Sequence, residues 1–476
     1  MIVIDGLRRI AKMAVLHVLH RVDKSQRRRL YEGRGSVPLH HWGVSANDRG
    51  HLLIGGCDAI DLAERYGTPL HVVDEASLVR TFTAFRDAFL RHYPKVEIGY
   101  SYKTNPLPGV LKILHRAGAS AEVISHFELW LALKLGMPGD RIIFNGPAKT
   151  EEALALAVSS GVKLINIDNI DELQTIHELA QTHGRRQRVG VRVVPSVGWA
   201  GQFGLNIRSG AALAAFHRIR ELGNLIPCGV HVHLGTGIKS VDIYATALRE
   251  VLEFSKSLER QFGIRMEFLD FGGGFGVSTV KPYSVTDTRL MANGFPPTVL
   301  DVAAHAPIDA FAKTVGDLVG RYYPPAEGAR PTIILEPGRA ITSSAQTLLL
   351  RVLAVKPRAG ANDAVITDGG KNVAFPTGYE HHEMQAASKL RLPATKTYDV
   401  FGPLCHLGDI LFHSIDLPLV GPGELLAVMD SGAYFVPNQM NFSNPRSAAV
   451  AVGEGRAVVL RKRETFEHIV ALDDCG

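Results

Sequence analysis

Cysteine is scarce in this 476-residue sequence: Cys57, Cys228, Cys405 and Cys475 stand far apart. No Cys-x-x-Cys pair occurs, which excludes a disulfide framework and a thiolate zinc site, and makes a reducing, cytoplasmic setting the expectation. No metal site is expected. The sequence also lacks an apolar run long enough to span a bilayer. The stretch 10–19 is short and is broken by Lys12 and His17. No small-residue cleavage site follows it, so a secretory signal is not expected either. Charge of one sign is scarce outside one segment. Residues 1–36 hold nine Lys/Arg against three Asp/Glu, within a whole-chain charge of +5. The basic surplus therefore belongs to an N-terminal extension, and no nucleic-acid partner is expected for the rest. The extension reads as a basic amphipathic surface helix, with contact to an anionic membrane or nucleic acid as the alternative.

What is present is a folded-protein composition, 46% hydrophobic and 21% charged, in a chain long enough for two or three domains. Short β-branched or apolar runs fall at 96–100, 121–125, 142–145, 164–168, 189–194, 229–234, 266–271 and 332–335. Segments of helical period separate most of them, at 106–116, 128–135, 150–159, 171–183, 209–222, 242–262 and 308–322. Eight such alternations predict a TIM-type (β/α)8 barrel over 75–340. A doubly wound open sheet competes, but no Rossmann glycine fingerprint follows the first strand. After Glu336 the texture changes to short strands at 347–355, 364–367, 424–428 and 448–452. They predict a β-sandwich or β-barrel domain over 341–476, joined by the strand-rich segment 37–74. The stretch 276–307 is rich in proline and polar residues and has no clear period.

Barrel chemistry sits at the C-terminal ends of the strands. The first ends in Tyr102-Lys103-Thr104-Asn105, the sixth in His231-Val232-His233-Leu234-Gly235-Thr236-Gly237. The seventh ends in Asp270-Phe271-Gly272-Gly273-Gly274, the eighth in Glu336-Pro337-Gly338-Arg339. A lysine in a walled barrel mouth loses solvation, which frees its amine for imine formation. It could equally snorkel to solvent. The glycine run bares backbone N–H groups for a phosphate, although a tight turn also takes glycine. Arg339 supplies a fork of donors to an anion. Glu336 would be costly without a cation, and a protonated pyridine nitrogen is one. His233 is by itself as well explained as a packed core histidine. Taken together, these groups describe a pyridoxal 5'-phosphate site.

At this point the sequence resembles the fold-type III decarboxylases, the group of diaminopimelate, ornithine and biosynthetic arginine decarboxylases. The resemblance begins near residue 48 and runs through Ala63-Glu64-Arg65-Tyr66-Gly67-Thr68-Pro69-Leu70, the four strand-end motifs above, Asp368-Gly369-Gly370, Gly402-Pro403-Leu404-Cys405 with Asp409, and Gly432-Ala433-Tyr434. It implies an alanine-racemase-like barrel with a β domain, and a homodimer whose active sites are shared across the interface. Lys103 would hold the cofactor as a Schiff base, and His233 would stack on its ring. Thr236, Gly273, Gly274, Gly338, Arg339 and Tyr434 would hold the phosphate, and Glu336 the ring nitrogen. Cys405 would be the general acid that reprotonates Cα, reaching in from the partner subunit. Arg339, Phe375, Tyr379, His406 and Asp409 would meet substrate.

Some positions depart from the group's pattern. The acid that follows the catalytic cysteine is His406 here, and the arginine of an Arg-Pro pair is Phe375, before Pro376. A Lys-Phe-Gly triplet becomes Gln202-Phe203-Gly204, an Asp becomes Glu122 and a phosphate serine becomes Thr236. A histidine is no fixed counter-charge for an ammonium group, and loss of a bidentate arginine removes a carboxylate clamp. The expected substrate is therefore a modified or conjugated amino acid of siderophore or secondary-metabolite type. Alternatives are a true meso-diaminopimelate decarboxylase, an amino-acid racemase and a non-catalytic relative.

Overall fold

The computed structural model describes residues 2–30, 37–199, 201–298, 301–302 and 305–474. Residues 31–36 of the expected N-terminal extension lie outside that set. The chain divides into two compact units. One comprises Val79–Val277 and His305–Ile341, the other Met1–Leu78, Ser278–Ala304 and Thr342–Gly476.

The first unit is a closed parallel barrel, and its strands follow the apolar runs of the sequence. They are β1 (Val96–Ser101), β2 (Ser120–Val123), β3 (Ile142–Phe144), β4 (Leu164–Ile167), β5 (Gln187–Val194), β6 (Leu225–His231), β7 (Phe268–Asp270) and β8 (Thr332–Leu335). Adjacent strands pair in parallel around the ring, in the order β5–β6–β7–β8–β1–β2–β3–β4. The β4–β5 pairing, with Ile165 opposite Val189, closes it. Closure rules out the open doubly wound sheet. The strands are buried along nearly their whole length, as a parallel sheet covered by helices requires. Helix starts are set by side chains that take up free N–H groups: Ser125 caps Glu128 N and Thr150 caps Ala153 N. Outside the ring, Phe275 is ringed by Phe85, Tyr244 and Phe311, with centroids 5.2–5.6 Å away.

The second unit is β-rich. Leu70–Asp74 runs through the middle of its large sheet, parallel to Ala448–Gly453 on one side and antiparallel to Gln346–Lys356 on the other. The structure adds strands Lys396–Phe401, Ile410–Leu417 and Arg456–Arg461, beyond the four predicted. Ser278–Ala304, inside the expected 75–340 span, groups with the β-rich unit. The physical reason is local pairing: Lys281–Pro282 forms an antiparallel pair with Glu380–His381. Within that segment, Ser284 and Asp287 form a capping box that opens helix Val285–Met291, so the stretch without a clear period holds a helix. The N-terminal helix Ile2–Leu30 packs Leu16 against Leu290 and Phe295, while Val15, Val18, Leu19 and Val22 stay exposed. No helix among the described residues is long and apolar enough to cross a membrane.

One tie in this unit carries a stability prediction. Trp42 Nε1 donates to Asp430 Oδ2 at 2.5 Å, and both side chains are buried. Burial pushes the Asp430 carboxyl up and the Trp42 hydrogen bond opposes that. Trp42→Phe removes the donor and keeps the aromatic bulk. It is expected to cost about 1–3 kcal/mol through an unsatisfied buried acceptor, read as a lower midpoint in denaturant unfolding.

Candidate active site

Strand β1 ends at Ser101 and the chain turns at once through a single 3-10 turn, Tyr102–Thr104. Tyr102 and Thr104 are buried, and the Tyr102 hydroxyl lies 2.6 Å from His115 Nε2. Fixing the flanking residues leaves Lys103 as the member of the turn with a partly exposed side chain. Its Nζ is 3.1 Å from Glu122 Oε2, at the end of β2.

Glu122 opens a belt of inward-facing polar groups, one from each of several strand ends. Ser101 Oγ donates to Glu122 Oε2. Asn145 Nδ2, just past β3, is shared between Glu122 Oε1 at 3.0 Å and Glu336 Oε1 at 2.5 Å. Asn166 on β4 donates to Asn145 Oδ1 at 2.8 Å and to Asp270 Oδ2, at the end of β7, at 3.1 Å. His231 at the end of β6 has its Nε2 3.4 Å from Glu336 Oε2. Asn145, Asn166, His231 and Asp270 were not among the expected site residues. His231 and Asp270 stand in the strand-end motifs of the sequence, whereas Asn145 and Asn166 carry no local signal that sets them apart.

The belt sets protonation states. Asp270 is fully buried beside Glu336, and both burial and the like charge push its carboxyl up. It keeps its proton. Glu336 is held below the usual carboxylate range, because His231, the Asp270 hydrogen bond and Lys103 outweigh its burial. The pair thus carries one negative charge, placed on Glu336. Behind Glu122, burial and the Glu122 charge raise Glu128 to about 7. His233 is pushed down to about 3 by burial and by Lys103, so its imidazole is neutral. Its Nδ1 accepts from Gly273 N at 3.3 Å, which leaves the ring proton on Nε2. His231, Asp270 and Glu336 bring possible metal-ligand atoms within 4.8 Å of one another. The proton-sharing described above engages the same two carboxylates.

The glycines leave bare backbone around these groups. Gly274 has φ +85°, and a Cβ there would lie 2.1 Å from Gly235 O. A Cβ on Gly338 would meet Thr104 Oγ1 at 1.9 Å. Thr236 is exposed, and Arg339 is buried at the first residue of the short helix Arg339–Thr342. An amine, glycine backbone with no side chain over it, a neutral flat ring and the buried Glu336 anion fit the aldehyde, phosphate, ring and ring nitrogen of pyridoxal 5'-phosphate. Gly338→Val is expected to overpack the turn by about 1–3 kcal/mol and to weaken cofactor retention roughly tenfold, measured by absorbance titration of the apoenzyme.

The remaining predicted residues lie in the β-rich unit. Cys405 and His406 are exposed on the 402–409 loop. Phe375 and Tyr379 are 42% and 43% exposed, with ring centroids 6.1 Å apart. Tyr434 holds a positive φ of 68°, unusual for a side chain of its size. Asp409, expected to meet substrate, ties two loops together. It is 2% exposed, Oδ1 accepts from Lys371 N at 2.7 Å and Oδ2 from Leu404 N at 2.8 Å. Its carboxylate joins the 368–379 segment to the cysteine loop because both loops present unpaired N–H groups that need an acceptor.

The family model for the pyridoxal-dependent decarboxylase, pyridoxal binding domain, matches residues 75–343. The chain belongs to the pyridoxal-dependent decarboxylase family. It is 33% identical over 442 residues to the diaminopimelate decarboxylase of Methanothermobacter thermautotrophicus, covering 90% of this chain and 96% of that enzyme. Against the Aquifex aeolicus diaminopimelate decarboxylase it is 32% identical over 436 residues, covering 88% and 95%. The crystal structure of diaminopimelate decarboxylase from M. jannaschii superposes with a TM-score of 0.81 at 27% identity, covering 92% of this chain and 99% of that one. As a member of this decarboxylase family the chain is a pyridoxal-phosphate-dependent carboxy-lyase. The racemase and non-catalytic readings give way to it.

Proposed function

We propose that this decarboxylase acts on a modified or conjugated amino acid, of the siderophore or secondary-metabolite type, whose far end is amide-linked or anionic. One observation carries the reading: no side-chain carboxylate follows the loop cysteine, where His406 stands, and the acid of that loop, Asp409, is committed to backbone N–H groups. A far-end ammonium would find no fixed counter-charge there.

Pyridoxal phosphate, when bound, supplies the electron sink for loss of carbon dioxide. The chain's own groups do the rest. Lys103 would carry the cofactor through its side-chain amine, which Glu122 Oε2 positions from 3.1 Å. Glu336 holds the ring nitrogen protonated. His233 offers a neutral face to the ring. Thr236, Gly273, Gly274, Gly338, Arg339 and Tyr434 grip the phosphate. Cys405, brought by a second copy of the chain in a homodimer, returns a proton to Cα. Arg339, Phe375, Tyr379 and His406 shape the substrate end. A reducing cytoplasm suits an exposed catalytic thiol.

Decarboxylation of meso-diaminopimelate is the second reading, favoured by the 33% identity over nearly the whole length of one such enzyme. Carbon dioxide release by the purified holoenzyme separates the two. A panel of diaminopimelate, ornithine, lysine, glutamate and N-acylated diamino acids should favour the last two classes. Efficient turnover of meso-diaminopimelate would sink the first reading.

A further inference from the structure

The β-rich unit holds a largely buried amine to which neither the family motifs nor the reading above gives a task. Lys371 follows Asp368-Gly369-Gly370 and opens the short helix Lys371–Ala374. Its backbone N–H is fixed by Asp409 Oδ1 at 2.7 Å. Its Nζ donates to Thr377 Oγ1 at 2.7 Å, and the Thr377 hydroxyl donates in turn to Ala374 O at 2.8 Å. An ammonium has three protons to donate. Here a neutral hydroxyl is its side-chain partner among the described residues, and no carboxylate lies within ion-pair distance of Nζ. Burial pushes the amine down to about 7, with Asp409 the charge that opposes. The titratable groups facing it are Asp409 and His413, and His413 is itself pushed down by burial and by Lys371.

The amine is fastened to the segment the substrate reading uses. Phe375 and Tyr379, both part-exposed, belong to the same turn as Thr377. Asp409 binds Lys371 N and Leu404 N together, so Lys371 and the Cys405 loop are held by one carboxylate. One carboxylate thus fixes both the backbone of Lys371 and the cysteine loop, and the turn that takes the amine's hydrogen bond carries the two exposed rings.

We propose that Lys371 determines specificity by taking the far-end anionic group, a carboxylate, of the substrate. This rests on the reading that Phe375, Tyr379 and His406 shape the substrate end. Together, Lys371 and His406 turn the charge preference of that end from ammonium to carboxylate. Aminodicarboxylic acids and their conjugates are favoured over ornithine and lysine. Substrate binding stabilises the charged amine, so KM for a dicarboxylic substrate is low below pH about 7 and rises above it. KM for a far-end ammonium does not rise in that way.

The test is steady-state decarboxylation by the holoenzyme and its Lys371→Met and Lys371→Arg variants. The substrates are L-glutamate, L-2-aminoadipate, meso-diaminopimelate, L-lysine and L-ornithine, across pH 6–9. The cofactor absorbance band verifies folding of each variant. Lys371→Met is expected to raise KM at least tenfold for substrates with a far-end carboxylate, with kcat within about threefold, and to abolish the rise of KM with pH. Lys371→Arg should restore a low KM and hold it flat with pH, because guanidinium stays charged. If meso-diaminopimelate proves the best substrate and Lys371→Met still raises its KM, the proposed substrate falls and the role of Lys371 stands. If Lys371→Met leaves KM unchanged on every substrate turned over, or lowers kcat equally on all of them, the proposal is overturned.

Discussion

Lys103→Ala should abolish turnover, by more than about 10⁴-fold, the scale of losing a covalent catalytic group. Three features make the effect large. The amine sits at a strand end on a turn whose other two residues are buried, so no neighbouring side chain can swing into its place. Its 3.1 Å partner, Glu122, is buried and bonded to Ser101 and Asn145, so the carboxylate cannot follow a substitute. His233, pushed far down, is neutral and offers no basic amine. The measurements are carbon dioxide release and borohydride reduction followed by peptide mapping. Wild type should yield one cofactor adduct at Lys103, and the variant none. An adduct at another lysine, with activity retained, would remove Lys103 from the mechanism. The global fold should persist, since the side chain is part-exposed and its charge partner retains other donors.

Glu336→Gln should lower kcat by about 10²–10³-fold, the usual loss when one preorganised charge is removed from a water-excluded site. The amide keeps the shape and still accepts from Asn145, so packing changes little. What disappears is the single negative charge of the Glu336–Asp270 pair. The ring nitrogen would then lose its proton, and with it the pull on the electrons released at Cα. Asp270 responds in a predictable direction. Relieved of the like charge that helps hold it up, its carboxyl should titrate lower than in wild type. Cofactor should remain bound, because phosphate and amine contacts are untouched. A shifted absorbance band with near-normal cofactor content and a collapsed kcat is the expected set of results. Near-wild-type kcat would mean that the nitrogen needs no anion here. A parallel loss of cofactor would mean that the belt is structural first. Asp270→Asn separates these outcomes, since it keeps the charge on Glu336 and should be milder.

Much of the barrel site was legible because each piece has a local signature. Lys103, His233, Gly272–Gly274 and Glu336–Arg339 all follow apolar runs, and position along the chain then implies position at the barrel mouth. The belt residues were harder. Asn145 and Asn166 look like ordinary loop or strand residues until the ring closes and aims both at one carboxylate system. Asp409 was expected at the substrate from the resemblance alone, and what no sequence position displays is that its carboxylate accepts from the Lys371 and Leu404 N–H groups. Lys371 carried no periodic or motif signal. Its interest comes from burial, which no single sequence position displays.

The sequence by itself determined the alternation of strands and helices, the chemistry offered at the strand ends and the cofactor class. Those follow from residue type and spacing, which act over a few neighbours. The tertiary structure decided which carboxylate keeps its proton, which stays an anion, and that Ser278–Ala304 leaves the barrel for the β-rich unit. These depend on distances between residues far apart in the chain, Lys103 and Glu336 among them. Electrostatic energy and desolvation vary with such distances and with depth from water, and folding alone sets both.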